Sequence, residues 1–455
     1  MSTITAGSQL QSPVRPQTLF DLFLNTGWLF GDRILRMAVG VAVTAALARY
    51  LGPKDFGVLN YAIAFVALFG SLAACGLDQT LVRELVRYPN MRDETLGAGF
   101  CLRFAASAVS TVLCFGAAVL VNRDSRVAIV TLIVSLTLFF QGFDVFDLYF
   151  QSQVQSKFTV IARNSSLLIM AAIRLLLIWR HASLAAFASC NLVESILMAV
   201  ALWIAFKVTD GRVSQWRYSL ARAEKLLADS WPMIVSGMAI MIYMRIDVVM
   251  LEKMRGAAAV GTYAAATRLS ELWYFIPVAI VSSVSPLIIR SRVNPDLYLS
   301  MLQQLFSAMV LISLPIAFVM TAISPFVVVK LFGPSYAAAG PILAVHVWAA
   351  VFVFLGTAQL PWDTTENLLK LLLLRTTAGA ATNVLLNLVL IPRYAGLGAA
   401  IATVLSYALA SVFGNALFSR TRKIFAMQLR AFRLAGCLSL LQRINSMPQL
   451  GWLRD

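Results

Sequence analysis

Charged side chains interrupt the long apolar runs of this 455-residue chain at few places, and those places define the chemistry open to it. Seven of them are arginines: Arg33, Arg36, Arg103, Arg174, Arg245, Arg268 and Arg375. Arginine keeps its charge at any working pH, and its planar fork grips phosphate or carboxylate oxygens in pairs. Facing lipid, each would cost at least ~2.5 to 3.5 kcal/mol, so they are expected to face an interior cavity and attract an anion there. Arg33 and Arg36 stand three apart on one helical face, which Gly40 continues as open space. They form the leading candidate anion site, followed by Arg268, Arg174 and Arg245. For Arg33, Arg174, Arg103 and Arg375, which lie towards the ends of their runs, the alternative is snorkelling to the headgroups.

Carboxylates in the same runs offer a second chemistry, because a protonatable Asp or Glu can couple transport to protons or sodium. Asp247 lies one turn from Tyr243 in MIYMRIDVVMLEKM and is the preferred coupling residue. Asp147, which shares a face with Asp144, and Glu194, which shares one with Asn191, are weaker candidates. Arg268 and Glu271 sit at spacing i, i+3 on one face and read either as a structural pair or as a gate.

Other chemistry finds no support. The five cysteines are scattered without a C-x-x-C pair, and there are only two histidines, so neither disulfides nor a metal site are expected. His346 reads as a packed core histidine. No Walker loop, nucleotide fingerprint or nucleophile-base pair is present, so no cofactor, ATP hydrolysis or enzymatic site is expected.

These residues must be positioned by membrane helices. The chain is 60% hydrophobic and 13% charged, with a mean hydropathy of +0.79, which no single soluble core could bury. The net charge of +16 would suggest nucleic acid in a polar chain. Here the basic residues fall mostly between apolar runs, as in cytoplasmic loops, so no nucleic-acid partner is expected. Twelve runs approach the ~20 residues a spanning helix needs. They cover 28–48, 57–76, 97–121, 127–149, 159–179, 184–206, 230–251, 268–289, 301–324, 337–359, 368–391 and 395–418. The first, with Ala46-Leu47-Ala48 at its end, mimics a secretory signal but reads as an uncleaved helix. Lys and Arg concentrate where both termini are cytoplasmic, in the central group Lys207 to Lys225 and in the tail from Arg420. The segment from Ile424 to Arg443 reads as a helix lying on the inner leaflet. Pro277, Pro286 and Pro315 should bend helices 8 and 9.

The chain also repeats itself. Shifted by 213 residues, Arg174 to Cys190 falls on Asn387 to Thr403, pairing Leu175 with Leu388, Arg180 with Arg393 and Ala182 with Ala395. Upstream, Gly52 and Gly57 echo Gly256 and Gly261. The expectation is an all-α polytopic membrane protein of about twelve transmembrane helices in two six-helix pseudo-symmetric lobes. Its parts are a cytoplasmic tail (1–18), an N-terminal lobe (19–206), a connecting loop (207–229), a C-terminal lobe (230–419) and a basic tail (420–455).

In order and spacing, ARYLGPKDFGVLNYAIAF, VGTYAAATRLSELW, LFGPSYAAAGPIL and NVLLNLVLIPRYAGLGAAIAT resemble the polysaccharide flippase branch of the multidrug/oligosaccharidyl-lipid/polysaccharide exporter superfamily. The resemblance implies a bacterial inner-membrane flippase that moves an undecaprenyl-diphosphate-linked oligosaccharide across the bilayer. Arginines lining its cavity would hold the pyrophosphate, with membrane lipids and other glycan-assembly proteins as partners. Many relatives have fourteen helices, more than the twelve counted here. The alternatives are a proton- or sodium-coupled multidrug exporter of the same superfamily, a membrane glycan polymerase or ligase, and a passive scaffold of a glycan-assembly complex. An excess of intramembrane arginine argues against cationic drugs, and short outer loops argue against the enzymes.

Overall fold

Apolar runs with few turn signals fold as helices, and among the described residues every regular element is helical. The structure, a computed structural model, describes residues 19–433 except 123, 154, 156 and 210–212, with side chains from Arg36 onward. Among the described residues, ten helices are long and apolar enough to cross a membrane. Two of them, Arg36–Arg87 (52 residues) and Leu369–Leu417 (49 residues), are far too long for one crossing. At 1.5 Å per residue each runs to more than ~70 Å, over twice the ~30 Å hydrocarbon core. Each is broken by a non-helical residue, Gly52 (φ 70°, ψ 172°) and Ala395 (φ 47°, ψ −128°), and so supplies two crossings.

The spans are labelled accordingly. Helices α1 and α2 are the arms of the segment bent at Gly52. They are followed by α3 (Arg92–Val121), α4 (Ser125–Ser152), α5 (Lys157–Trp179), α6 (Leu184–Thr209), α7 (Leu220–Arg255), α8 (Ala257–Val293), α9 (Pro295–Phe332) and α10 (Ala339–Thr365). Helices α11 and α12 are the arms of Leu369–Leu417, and a short α13 (Arg422–Ala431) closes the described chain. Large apolar side chains on the outer surface, such as Val112, Leu120 and Phe326, remain exposed, as expected of a lipid-facing belt.

The repeat is visible in the backbone. Gly52 and Gly256, equivalent in sequence, adopt the same left-handed turn at φ 70° and 82° with ψ 172° in both. Five residues on, Gly57 and Gly261 bring the two lobes together reciprocally. A Cβ on Gly57 would lie 1.7 Å from the Ala257 carbonyl oxygen, and one on Gly261 would lie 1.9 Å from that of Pro53. Only glycine permits this approach. Hydrogen bonds reinforce the same end: Arg49 donates to the Lys330 and Leu331 carbonyls, Tyr336 to the Ala48 carbonyl (2.9 Å) and Lys253 to Asn122 (2.9 Å). The lobes are therefore clamped at the end bearing the two glycine turns.

At the opposite end α7 begins earlier than its hydropathy suggests. It starts at Leu220, so Arg222 and Lys225 belong to a helix, and the connection after α6 is shorter than 207–229. Buried Arg222 reaches Glu84 (3.2 Å) and Thr95 (3.0 Å), joining α7 to α2 and α3. Likewise α8 starts at Ala257, eleven residues before the expected boundary at 268. Helix α8 is interrupted by a 3-10 turn at Leu272–Tyr274, just before Pro277, whose missing N–H and ring disrupt the turn preceding it. The tail helix α13 buries Ile424, Met427, Gln428 and Ala431 and receives a bond from Gln303 of α9 (3.1 Å). Its polar partners bind it to the C-terminal lobe. The rest of the segment expected on the leaflet, from 434, lies outside the described residues.

Candidate functional site

The longer α8 moves Arg268 inward. It lies eleven residues from Ala257, and Arg245 ten residues from the end of α7 at Arg255, each about 15 Å along its helix and so near mid-membrane. Arg174, five residues from the end of α5, bends towards α6 and pairs with Glu194 at 2.7 Å. Arg174 and Arg268, from opposite lobes, line one cavity of about 110 Å³. Arg268 is exposed to it, enters no ion pair among the described residues, and lies within Coulombic range of Arg174, Arg245 and Glu271. Glu271 pairs with Arg245 of α7 at 3.6 Å, and the i, i+3 neighbours Arg268 and Glu271 do not form the ion pair that spacing suggested. A neighbouring helix offers the shorter reach. Three guanidiniums thus face two carboxylates at the interface of the lobes, an arrangement with excess positive charge suited to an anion.

Larger cavities adjoin this small one. Ile63 and Asn191 also line a space of about 470 Å³ beside Glu194 and Asp144 in the first lobe. Ala67 and Gln141 line both that space and one of about 550 Å³ between α2 and α7. Ile240 lies between the latter and a cavity of about 280 Å³ in the second lobe. The chamber widens away from the clamped end.

The remaining sequence candidates separate by environment. Arg33 falls among residues whose side chains lie outside the described set, and Arg36 is half-buried on α1. Asp247 is buried, accepts bonds from the Tyr263 hydroxyl, from Thr403 (3.5 Å) and from its neighbour's N–H at Val248 (2.8 Å), and joins α7, α8 and α12. Asn383 and Asn387, one turn apart on α11, are fully buried and bonded to each other at 2.8 Å. Asp147 is held by Gln151 (3.0 Å) and Thr159, away from the cavity. Its face-mate Asp144 lines the chamber instead. Arg103 is saturated by Asp78 (2.7 Å), Asp144 (3.5 Å) and the Gln141 carbonyl (3.1 Å), and snorkels nowhere. His346 is buried against Ser270 at 2.9 Å.

In the second lobe Arg375, named in the sequence reading without its partners, does not snorkel but anchors a buried polar network. Arg375 and Asp363 form a pair at 2.7 Å with side chains 2% and 1% exposed, and Gln359, Asn415 and Gln428 extend it. The signal available was Arg375 in one apolar run and an opposite charge, Asp363, just beyond the end of the run before it.

Comparison with known proteins agrees with this architecture. Residues 22–292 match the family model described as "Polysaccharide biosynthesis protein". No curated protein matches the chain. Among solved structures, the lipid II flippase MurJ in an inward closed conformation superposes with a TM-score of 0.69 at 15% identity, covering 94% of this chain and 93% of that one. An inward-facing multidrug resistance MATE family transporter gives 0.68 at 13%, covering 91% and 96%. A superfamily transporter from Pyrococcus furiosus gives 0.59 at 12%, covering 91% and 94%. At these identities the likeness is one of fold. With the family model spanning well over half its length, the chain belongs to the polysaccharide biosynthesis protein family and has the fold of the multidrug/oligosaccharidyl-lipid/polysaccharide exporter superfamily.

Proposed function

We propose that the protein is a flippase that carries an undecaprenyl-diphosphate-linked oligosaccharide across the bacterial inner membrane for surface polysaccharide assembly. The observation that carries this reading is the meeting of Arg174 and Arg268, from opposite lobes, in one cavity. A pyrophosphate there would be gripped by both lobes at once, and rocking of one against the other would change which leaflet it faces. With both termini cytoplasmic, the glycine clamp is the periplasmic gate, and the chamber as described widens towards the cytoplasm. The isoprenoid tail stays in lipid throughout, and the cavity handles only the headgroup. Asp247, buried between three helices of the second lobe, is the coupling carboxylate. Arg36, with Arg33, would attract the headgroup on entry. The family and the fold support a transporter rather than a polymerase or ligase. The excess of arginine over carboxylate at the lobe interface disfavours cationic drugs.

The test is export of the cell's glycan by Arg268→Ala and Arg174→Ala proteins held at wild-type membrane level. Each is expected to fall at least ~tenfold, the worth of one charge-assisted hydrogen bond. Export at the wild-type rate by both removes the site, and unchanged export in a strain without the gene removes the function.

A further inference from the structure

The cavity of about 280 Å³ in the second lobe differs in character from the arginine cluster beside it. Arg375, Asp363 and Gln359 line it together with Tyr243, Tyr274 and Tyr407. Tyr243 and Tyr407 stack at 4.5 Å with their planes 24° apart. Arg375 is 3% exposed, and while its Nη2 binds Asp363, its Nε and Nη1 are buried with no partner among the described residues. Such donors are costly to leave unsatisfied, so the site is built to receive an acceptor. The π-helical turn Leu409–Phe413 shapes the same wall, contributing Ala410 and Ser411 to the lining, and such bulges interrupt helices where function needs it.

The balance of these groups points to a class of ligand. Asp363 neutralises Arg375, so the pocket holds no net charge for a phosphate or a cation. It offers donors (Nε and Nη1 of Arg375) and an acceptor (the Asp363 carboxylate, held in place by Gln359) on planar side chains beside aromatic rings. A pyranose matches both: its hydroxyls donate and accept, and its C–H face is apolar enough to lie on an aromatic ring. The volume is at the low end for ligand pockets, suited to a small unit. Tyr407 is within Coulombic range of Arg245 and Glu271, so the pocket adjoins the arginine cluster.

We infer that this pocket is a sugar subsite, which takes the saccharide next to the pyrophosphate while Arg174, Arg245 and Arg268 hold the phosphates. The inference rests on the flippase reading and assigns the neutral half of the headgroup to the second lobe. Selection among glycans would then reside on α7, α10, α11 and α12.

The test uses the full chain in lipid nanodiscs with three probes: undecaprenyl diphosphate, the same lipid bearing one glucose, and the same lipid bearing one N-acetylglucosamine. At least one sugar-bearing probe should bind about tenfold tighter than the bare lipid, as one or two net hydrogen bonds allow. Tyr243→Leu and Gln359→Leu should each erase that advantage and leave the affinity for the bare lipid unchanged. Tyr243 takes no part in the Gln359 network, so its variant reports on contact where Gln359→Leu reports on fold as well. Sugar-bearing probes that bind no tighter than the bare lipid overturn the subsite, as does an advantage that survives both variants. Failure of the bare lipid to bind, or binding unaffected by Arg268→Ala, overturns the flippase reading and the subsite with it.

Discussion

Arg174 in the first lobe and Asn387 in the second occupy one place in the internal repeat, yet they end in different surroundings. Arg174 reaches across to Glu194 and lines the cavity between the lobes. Asn387 is fully buried and bonded to Asn383 on its own helix. The same contrast recurs at larger scale. In the first lobe Arg103 anchors the chamber wall through two aspartates, Asp78 and Asp144, which both line the chamber. In the second lobe, charges and amides gather in a buried network around Arg375 and Asp363. Where the lobes touch, however, the repeat stays nearly exact, with Gly57 and Gly261 in reciprocal contact. Contact between copies requires matched backbones, whereas a site that binds an asymmetric headgroup gains from unmatched side chains.

The sharpest way to break this comparison is through its two arginines. Arg375→Met should destabilise the protein by about 3 to 5 kcal/mol, because Asp363 is left buried and uncompensated. Arg174→Met, whose ion pair is partly solvated, should cost about 1 kcal/mol or less and spend its effect on transport. Thermal melting of both in one detergent decides it, and equal losses would dissolve the distinction between the lobes.

The clamp is tested by Gly57→Val and Gly261→Val, which should be equally harmful, by about 3 kcal/mol each, since each drives a side chain into a carbonyl of the other lobe. Melting and cross-linking at the clamped end would measure this, and harm from only one would show that the contact is not reciprocal. Asp247→Asn keeps the shape but not the charge beside Tyr263 and Thr403. It should lower stability by about 1 to 2 kcal/mol while abolishing the dependence of export on an ion gradient. Glu194→Gln in the first lobe should leave that dependence intact, and the reverse result would move coupling to the first lobe. The smallest effect is expected at the α11–α12 bend. Ala395→Gly should raise stability by about 1 kcal/mol, because alanine at φ 47° is held in a region that glycine enters freely.

Much of the architecture was legible because lipid imposes it. Apolar runs of spanning length mark helices whatever their partners, and matched glycines mark the repeat, so the spans and the pairing of Gly52 with Gly256 could be read directly. Boundaries were less legible where helices continue past the apolar run. Arg222 looked like a loop residue because its partner, Glu84, lies in the other lobe and far away in sequence. Within the candidate site, Arg174, Arg245, Arg268, Glu194 and Glu271 could be named, but their pairing could not. Spacing along α8 joined Glu271 to Arg268, and only the packing of α7 against α8 joins it to Arg245. Asp144 and Asp147 were indistinguishable by periodicity, since both lie on one broad face, and the break of α4 around Gln141–Asp144 turns one to the chamber and the other to Thr159.

By itself, then, the sequence determined a membrane protein of paired helical lobes with cations in its interior, because the transfer of apolar and charged groups between water and lipid depends on residue type alone. Only the tertiary structure decided which of those cations stand free and face one another. That depends on distances of a few ångströms between helices remote in the chain, and the same arginine is a latch at position 103 and an open anion contact at position 268.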